Sequence, residues 1–414
     1  RPPRSTRKES SAASDVYKRQ LCDGPRRWYV SICNGLRKAG FRQLKGDLGV
    51  WILESDEKGN IVEDQTDSDL HNNPLAAADE ILVRAPNPRK PYNVEGIVCL
   101  HVDDSISGGT AVFKERWDRV CKDFIVGDSE VVGSTGVPFC GKIIRAENLP
   151  TGLNFTVGQE HYATKLEEIK ASNSKLDQLL DENLQKSFRQ AIGRLNWIGF
   201  RTRPDIAFQV NALSSKNGRA TFEDLDQLNK LIRKTIYNKS VRLLIQPLKG
   251  DLQVCGHTDA SFNRLVEGPA RIGGIFWLVQ IPDRWRTREK CDNLHFISNG
   301  DAHVICPANP LFWRATSVQR AIDSVLDAEL IVAQWGYNLG TYLKYMAVEM
   351  GLVKLEHPII ILNDNNSNVS HIKSTNRHSN PRLNSLWSVL RDSYSAGRVV
   401  LRWICGKHVI YLTP

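Results

Sequence analysis

The chain has 414 residues, 55 of them Lys or Arg against 46 acids, for a formal net charge of +9; 41% are hydrophobic and 24% charged. That length suffices for two or three domains with cores of their own, and the composition is that of an ordinary soluble protein with a mild basic excess that fits a polyanionic partner. The nine cysteines are scattered without a CxxC pair, so neither a zinc site nor a disulfide framework is indicated and a reduced, intracellular setting is expected; no apolar run is as long as a membrane span and no signal segment opens the chain.

Residues 1 to about 20 are basic, rich in Ser and Ala, and without periodicity, and are read as a disordered arm or a sequence artefact, with a nucleic-acid-binding arm as the alternative. From Leu21 the pattern changes. Gly24-Pro25-Arg26-Arg27 leads into apolar residues at helical spacing from Trp28 to Leu36, closed by Gly40. Phe41 to Leu53 reads as a strand pair around Gly46-Asp47, and 54–92 as a polar insertion or long loop with a short helix over 74–83.

Gly96 to Ser107 then gives an apolar strand, the pair Asp103-Asp104 and a polar segment running to Gly108-Gly109, which is expected to turn the chain back into a hairpin with acids at its tip. Two adjacent aspartates repel each other, and a divalent cation with oxygen ligands relieves that repulsion. Solvated turn residues are the plainer reading. The apolar approach to the pair favours the cation, because it ends a strand with the character of a core.

Thr110 to Phe124 has the spacing of an amphipathic helix, Phe139 to Ile144 and Leu153 to Val157 read as strands, and Tyr162 to Ile169 starts a helix. Residues 176–238 are mostly helical, interrupted at Arg201-Thr202-Arg203-Pro204-Asp205, where the two arginines either hold phosphate or stabilise a helix junction. A further unit starts near residue 247. Its strands are Leu252 to Ser261, Arg271 to Ile281, Phe312 to Thr316, the apolar run His357 to Leu362, and Val399 to Ile404; helices are expected from about Ala321 to Glu349 and from Leu383 to Ser395, and 282–310 is a polar insertion.

In this unit Asp259 closes one strand, Glu329 lies on the long helix and Asp364 closes a later strand. A sheet whose strand ends meet a crossing helix can gather such acids around two divalent ions about 4 Å apart, the arrangement that hydrolyses phosphodiesters. Each acid alone reads as a cap or surface group; their order and placement carry the expectation.

Taken together, Gly24-Pro25-Arg26-Arg27-Trp28-Tyr29, His101-Val102-Asp103-Asp104, Phe139-Cys140-Gly141-Lys142, Arg201-Thr202-Arg203-Pro204-Asp205-Ile206-Ala207, Thr258-Asp259-Ala260-Ser261, Asp327-Ala328-Glu329 and Asn363-Asp364-Asn365 occur in the order and spacing of one family. From Leu21 to near its end, the chain resembles the reverse transcriptase and RNase H portion of copia-type LTR retrotransposon polyproteins. The resemblance implies an α+β polymerase palm and thumb fragment followed by an α/β RNase H-like domain. It divides the chain into a palm part at 21–165, a helical thumb and connection at 166–246 and an RNase H-like part at 247–414.

The same resemblance makes Asp103 and Asp104 the paired palm aspartates that bear Mg²⁺, and Asp259, Glu329 and Asp364 the Mg²⁺ or Mn²⁺ ligands of a nuclease that cuts RNA in RNA:DNA hybrids. Arg26, Arg27, Lys142, Arg201, Arg203 and His378 become candidate nucleic-acid contacts, with His378 either assisting product release or holding a surface role. The implied partners are an RNA template, a DNA primer, the hybrid and, in the intact parent, dNTPs; the implied setting is cytoplasmic, in a virus-like particle, or nuclear.

Two departures from the family pattern matter. The family's further palm aspartate has no counterpart in strand context, since Asp15 lies in the arm, and Ile410 stands where a fourth nuclease acid is expected. DNA synthesis by this chain is therefore expected to be negligible and hybrid cleavage weak. A decayed, non-catalytic nucleic-acid-binding remnant is the leading alternative, ahead of a cellular nuclease fused to an unrelated domain.

Overall fold

The computed structural model describes residues 24–62, 92–124, 127, 129–150, 152–171, 175–262, 270–280, 307–318, 322–374 and 380–404. Asp15, His378, Ile410, the arm at 1–20 and the expected short helix at 74–83 lie outside them, as does most of the 282–310 insertion. The fold is mixed α/β and divides into two compact units, Arg1–Glu130 with Glu349–Gly351, and Val131–Val348 with Leu352–Pro414.

The first unit opens with helix α1 (Gly24–Lys38), whose last turn carries Arg37 and Lys38, the charge that suits a helix C-terminus. Gly40, at φ 89°, lets the chain leave the helix. Strands β1 (Arg42–Gln43), β2 (Val50–Ser55), β3 (Asn93–His101) and β4 (Asp104–Gly109) form one antiparallel sheet in that order. Helix α2 (Ala111–Asp123), capped by Thr110, packs with α1 so that Ile32, Leu36, Phe113 and Val120 meet Trp51, Leu53 and Val98 in one core.

The β3–β4 hairpin turns two residues beyond His101, with His101 paired to Asp104 and Val102 at φ 54°. The turn expected at Gly108-Gly109 is therefore displaced: those glycines stand at the far end of β4, opposite Ile97 and Gly96. Their service is steric. A Cβ on Gly96 would come within 2.2 Å of the Phe113 ring and one on Gly109 within 2.5 Å, so bare backbone is what lets Phe113 seat on the sheet.

The second unit contains a four-stranded antiparallel sheet, β5 (Val137–Phe139), β6 (Lys142–Leu149), β7 (Gly152–Gly158) and β8 (Leu243–Ile245). Between β7 and β8 run the single turn α3 (Glu160–Ala163) and helices α4 (Glu182–Gly199), α5 (Pro204–Ser214) and α6 (Phe222–Tyr237), packed around Phe188, Leu195, Ile206, Val210, Leu228 and Ile232. Asp181 caps α4 and a Thr221–Asp224 capping box starts α6. The helix expected over 162–169 ends after one turn, at Ala163, and further on Asn229 pairs with the Ile169 backbone, accepting from its N–H at 2.9 Å and donating to its carbonyl at 3.0 Å. This side chain of α6 thus occupies both backbone groups of Ile169, which a helix there would need for itself.

A five-stranded sheet completes this unit in the order β11-β10-β9-β12-β13. Strands β9 (Leu252–Ser261), β10 (Arg271–Gln280) and β11 (Ala308–Ser317) are antiparallel; β12 (Ile359–Asn363) runs parallel to β9, and β13 (Val399–Trp403) parallel to β12. The third strand starts at Ala308, earlier than the expected Phe312, because Asn309 is fixed there by two hydrogen bonds with the Gln246 backbone, 2.9 Å each. Helix α7 (Val325–Glu349) lies on the sheet face that carries Val254, Phe276, Ile359 and Ile361. Its contact stripe includes Gly336 and Gly340, where an added Cβ would fall 2.6 Å from Thr258 Cγ2 and 2.9 Å from Ile359 Cγ2. Helix α8 (Asn366–Lys373) and helix α9 (Asn384–Ser395) pack beside β13 through Val369, Ile372, Trp387 and Leu390.

Candidate metal centre

Parallel pairing aligns the strand ends. Ile360 stands beside Cys255 and Leu362 beside His257, so two residues further on Asp364 comes level with Asp259. The third acid arrives from above the sheet: Glu329 sits in the first turns of α7, 3% exposed, on the same stripe as Ala333, Gly336 and Gly340. Asp259, Glu329 and Asp364 each offer a carboxylate oxygen, and these atoms lie within 4.8 Å of one another.

The electrostatics are those of a site short of positive charge. Burial, then repulsion from Asp259 and Asp364, pushes the Glu329 carboxyl up to about 7 even though an Asn363 amide and the Ala260 backbone N–H donate to it. Burial and the Asp364 charge likewise raise Asp259, against one backbone hydrogen bond at Ala260. Among the described residues none of the three forms an ion pair. Three hard oxygen donors with unrelieved mutual repulsion are a donor set that Mg²⁺ or Mn²⁺ fits.

Asparagines hold this cluster. Asn363 Nδ2 donates to Glu329 Oε2 at 2.8 Å, and Asn368 Nδ2 donates to the Glu329 carbonyl at 3.1 Å. Asn365 caps α8 by accepting from Asn368 N–H at 2.9 Å, which turns the chain sharply after Asp364. From β13, Trp403 Nε1 donates to the Asp364 carbonyl at 2.9 Å and Ile404 N–H to that of Asn363 at 3.0 Å. Sequence reasoning missed α8 and these braces. The available signal was Asn363-Asp364-Asn365-Asn366-Ser367-Asn368 directly after a wholly apolar strand, a density of side-chain amides greater than a solvated turn requires.

The other acidic pair is built differently. Asp103 and Asp104 are exposed at the hairpin tip and line, with Trp28, Ile32, Trp117 and Phe124, a pocket of about 110 Å³. Among the described residues no third acid or histidine gathers with them into a ligand set.

The candidate nucleic-acid contacts separate by exposure. Arg26 and Arg27 are exposed on α1. Lys142 is half-buried at the start of β6, and burial lowers its ammonium, with the nearby Arg201 charge adding to the effect. Arg201 is exposed and its guanidinium lies 5.1 Å from the centre of the partly exposed Trp197 ring. Arg203 is 2% exposed and fully engaged: Nε and Nη2 each donate to Asp205 at 2.8 Å, and Nη1 donates to the Asn238 carbonyl at 2.8 Å. It joins the start of α5 to the end of α6, so of the two roles weighed for this pair Arg203 has the geometry of the helix junction.

No family model and no curated protein matches the chain. Among solved structures, a foamy viral protease-reverse transcriptase in complex with dsDNA is similar at 13% identity and a TM-score of 0.41, over 80% of this chain and 57% of that one. The chain therefore spans a little over half of that protein's length. An N-terminal RNase H domain from Mycobacterium tuberculosis, fused to maltose binding protein, is similar at 17% identity and a TM-score of 0.24, over 38% of this chain and 86% of that one. The solution structure of the PFV RNase H domain aligns at 12% identity and 0.22, over 38% and 81%. With these TM-scores below 0.5, the functional reading rests on the side-chain geometry. Among the described residues no helix is long and apolar enough to cross a membrane.

Proposed function

We propose that the Asp259, Glu329 and Asp364 cluster is the centre of an RNase H-type nuclease that hydrolyses the RNA strand of RNA:DNA hybrids, in a chain derived from a copia-type retroelement polymerase. One observation carries this reading: acids 70 and 35 residues apart in sequence are brought within 4.8 Å, where the ends of two central strands meet a helix, with repulsion among them raising Glu329. When bound, Mg²⁺ or Mn²⁺ supplies an activated water and neutralises the departing oxygen.

The chain's own residues set the conditions for that chemistry. Asp259 and Asp364, both exposed, stand at the ends of the central strands β9 and β12, on the side open to a polyanion, whereas Glu329 closes the site from the protein side. The Asn363 amide favours the ionised form of Glu329, which is the form that binds a cation. Exposed Arg201 stacked on Trp197, with Lys142 nearby, supplies a cationic and aromatic surface suited to a nucleic-acid strand.

Asp103 and Asp104 support a second role, as the acidic pair of the polymerase half that serves an RNA template, a DNA primer and dNTPs. The observation favouring it is their exposure at a hairpin tip beside an aromatic-walled pocket.

The test is cleavage of a labelled RNA:DNA hybrid by the purified chain in Mg²⁺ and in Mn²⁺. Metal-dependent cutting of the RNA strand, abolished in Glu329→Gln, is the expected result. Hybrid binding without cutting in either metal would favour the non-catalytic remnant.

A further inference from the structure

The side chain of Asn363 touches all three segments that deliver the acids. Its Nδ2 donates to Glu329 Oε2 on α7 at 2.8 Å and reaches the Thr258 carbonyl, one residue before Asp259 on β9, at 3.4 Å. Its Oδ1 accepts from the N–H of Asn365, one residue after Asp364, at 2.8 Å. The residue is 1% exposed, so these groups have no water to fall back on.

The amide's orientation follows from its partners. A backbone N–H only donates, so the atom facing Asn365 must be the oxygen, and the atom facing Glu329 must then be the nitrogen. Glu329 is thereby required to present an acceptor at Oε2, and with the Ala260 backbone hydrogen bond this holds its carboxylate in one orientation beside Asp259 and Asp364. A side chain without a donor at this position would let the Glu329 carboxylate rotate and would untie β9 from the turn after β12.

We infer that Asn363 is a positioning residue of the metal centre, fixing the orientation of the Glu329 carboxylate and holding the Asp259 and Asp364 segments at their spacing. This rests on the cluster being a cation site, as proposed above. Neither the DAE stretch nor the run of apolar residues in β12 marks it; the parallel pairing of β9 with β12 does.

The measurement is Mn²⁺ affinity of the full chain by isothermal titration, with melting in EDTA to confirm folding, for the parent chain and Asn363→Leu, Asn363→Ser and Asp259→Asn. Loss of an outer hydrogen bond to a metal ligand weakens affinity by about 10- to 100-fold. Asn363→Leu is expected in that range. Asn363→Ser, which leaves room for a donating water, is expected to be weakened by about 10-fold, at the low end of such effects. In hybrid cleavage at fixed metal the loss should fall on kcat with KM little changed, and recover with added Mn²⁺.

Either folded Asn363 variant binding Mn²⁺ as tightly as the parent chain overturns the inference, and Asn363→Ser decides it should Asn363→Leu not fold. Asp259→Asn separates the two levels. If it too leaves Mn²⁺ binding unchanged, the cation site itself is refuted; if it weakens binding but the parent chain cuts no hybrid, the nuclease reading fails while the role of Asn363 stands.

Discussion

The chain holds two groups of acids, and they differ in how the fold treats them. At the hairpin tip, Asp103 and Asp104 are neighbours in sequence and exposed, one on the two-residue turn and the other opening β4. In the five-stranded sheet, Asp259, Glu329 and Asp364 come from a strand end, a helix and a second strand end, and are tied by buried amides. Adjacent charges on a turn cost little because water screens them; gathered charges beside a core cost more, and a fold that bears that cost against a closed network has something to hold. The lesson is that convergence from distant positions, with repulsion retained, signals a site more strongly than a paired motif does.

The comparison can be broken first by activity. Asp259→Asn is expected to lower hybrid cleavage by more than about 100-fold, beyond what loss of an outer-shell partner causes, while Asp103→Asn with Asp104→Asn leaves it unchanged. Equal losses in the two variants would mean that the groups do not act separately.

A second effect appears in stability without metal. Glu329 ionises near the ordinary 4.5 in the unfolded chain and at about 7 in the fold, so between those values the folded state holds the extra proton. Stability should therefore be fully present below about pH 4.5 and fall as pH rises toward 7, by something on the order of 3 kcal/mol. Urea unfolding in EDTA across that range tests it: Glu329→Gln should flatten the fall, and Mn²⁺ should reverse it.

Gly336→Ala is expected to destabilise the second unit by about 1–3 kcal/mol, since its Cβ would overlap Thr258. Calorimetry reads that change, and weaker Mn²⁺ binding should accompany it. The smallest effect belongs to the hairpin, where Asp103→Asn or Asp104→Asn should move stability by no more than about 0.5 kcal/mol.

Much of this was legible in the sequence, for identifiable reasons. Strands β9 and β12 announced themselves as apolar runs ending in acids, and α2 and α7 by their spacing, because burial on one face leaves a periodic trace. Glu329 was marked only by its place among motifs, since an acid in an apolar helix reads equally well as a cap. The hairpin turn was displaced because Gly108-Gly109 looks like turn chemistry, whereas its cause is the Phe113 ring, a contact no local pattern encodes. Asn363 and Asn229 were illegible for the same reason: each is an ordinary polar residue until the chain places a backbone segment beside it, at Thr258 for one and Ile169 for the other.

Glu329, Ala333, Gly336 and Gly340 follow one another along a single line of α7, all of them buried. The two glycines set how low the helix rides, and the carboxylate is merely the next tooth on the same rack. Carboxylate position at one end is thus geared to clearance two turns away, so a methyl group added there would be felt as a longer gap between oxygens that it never touches.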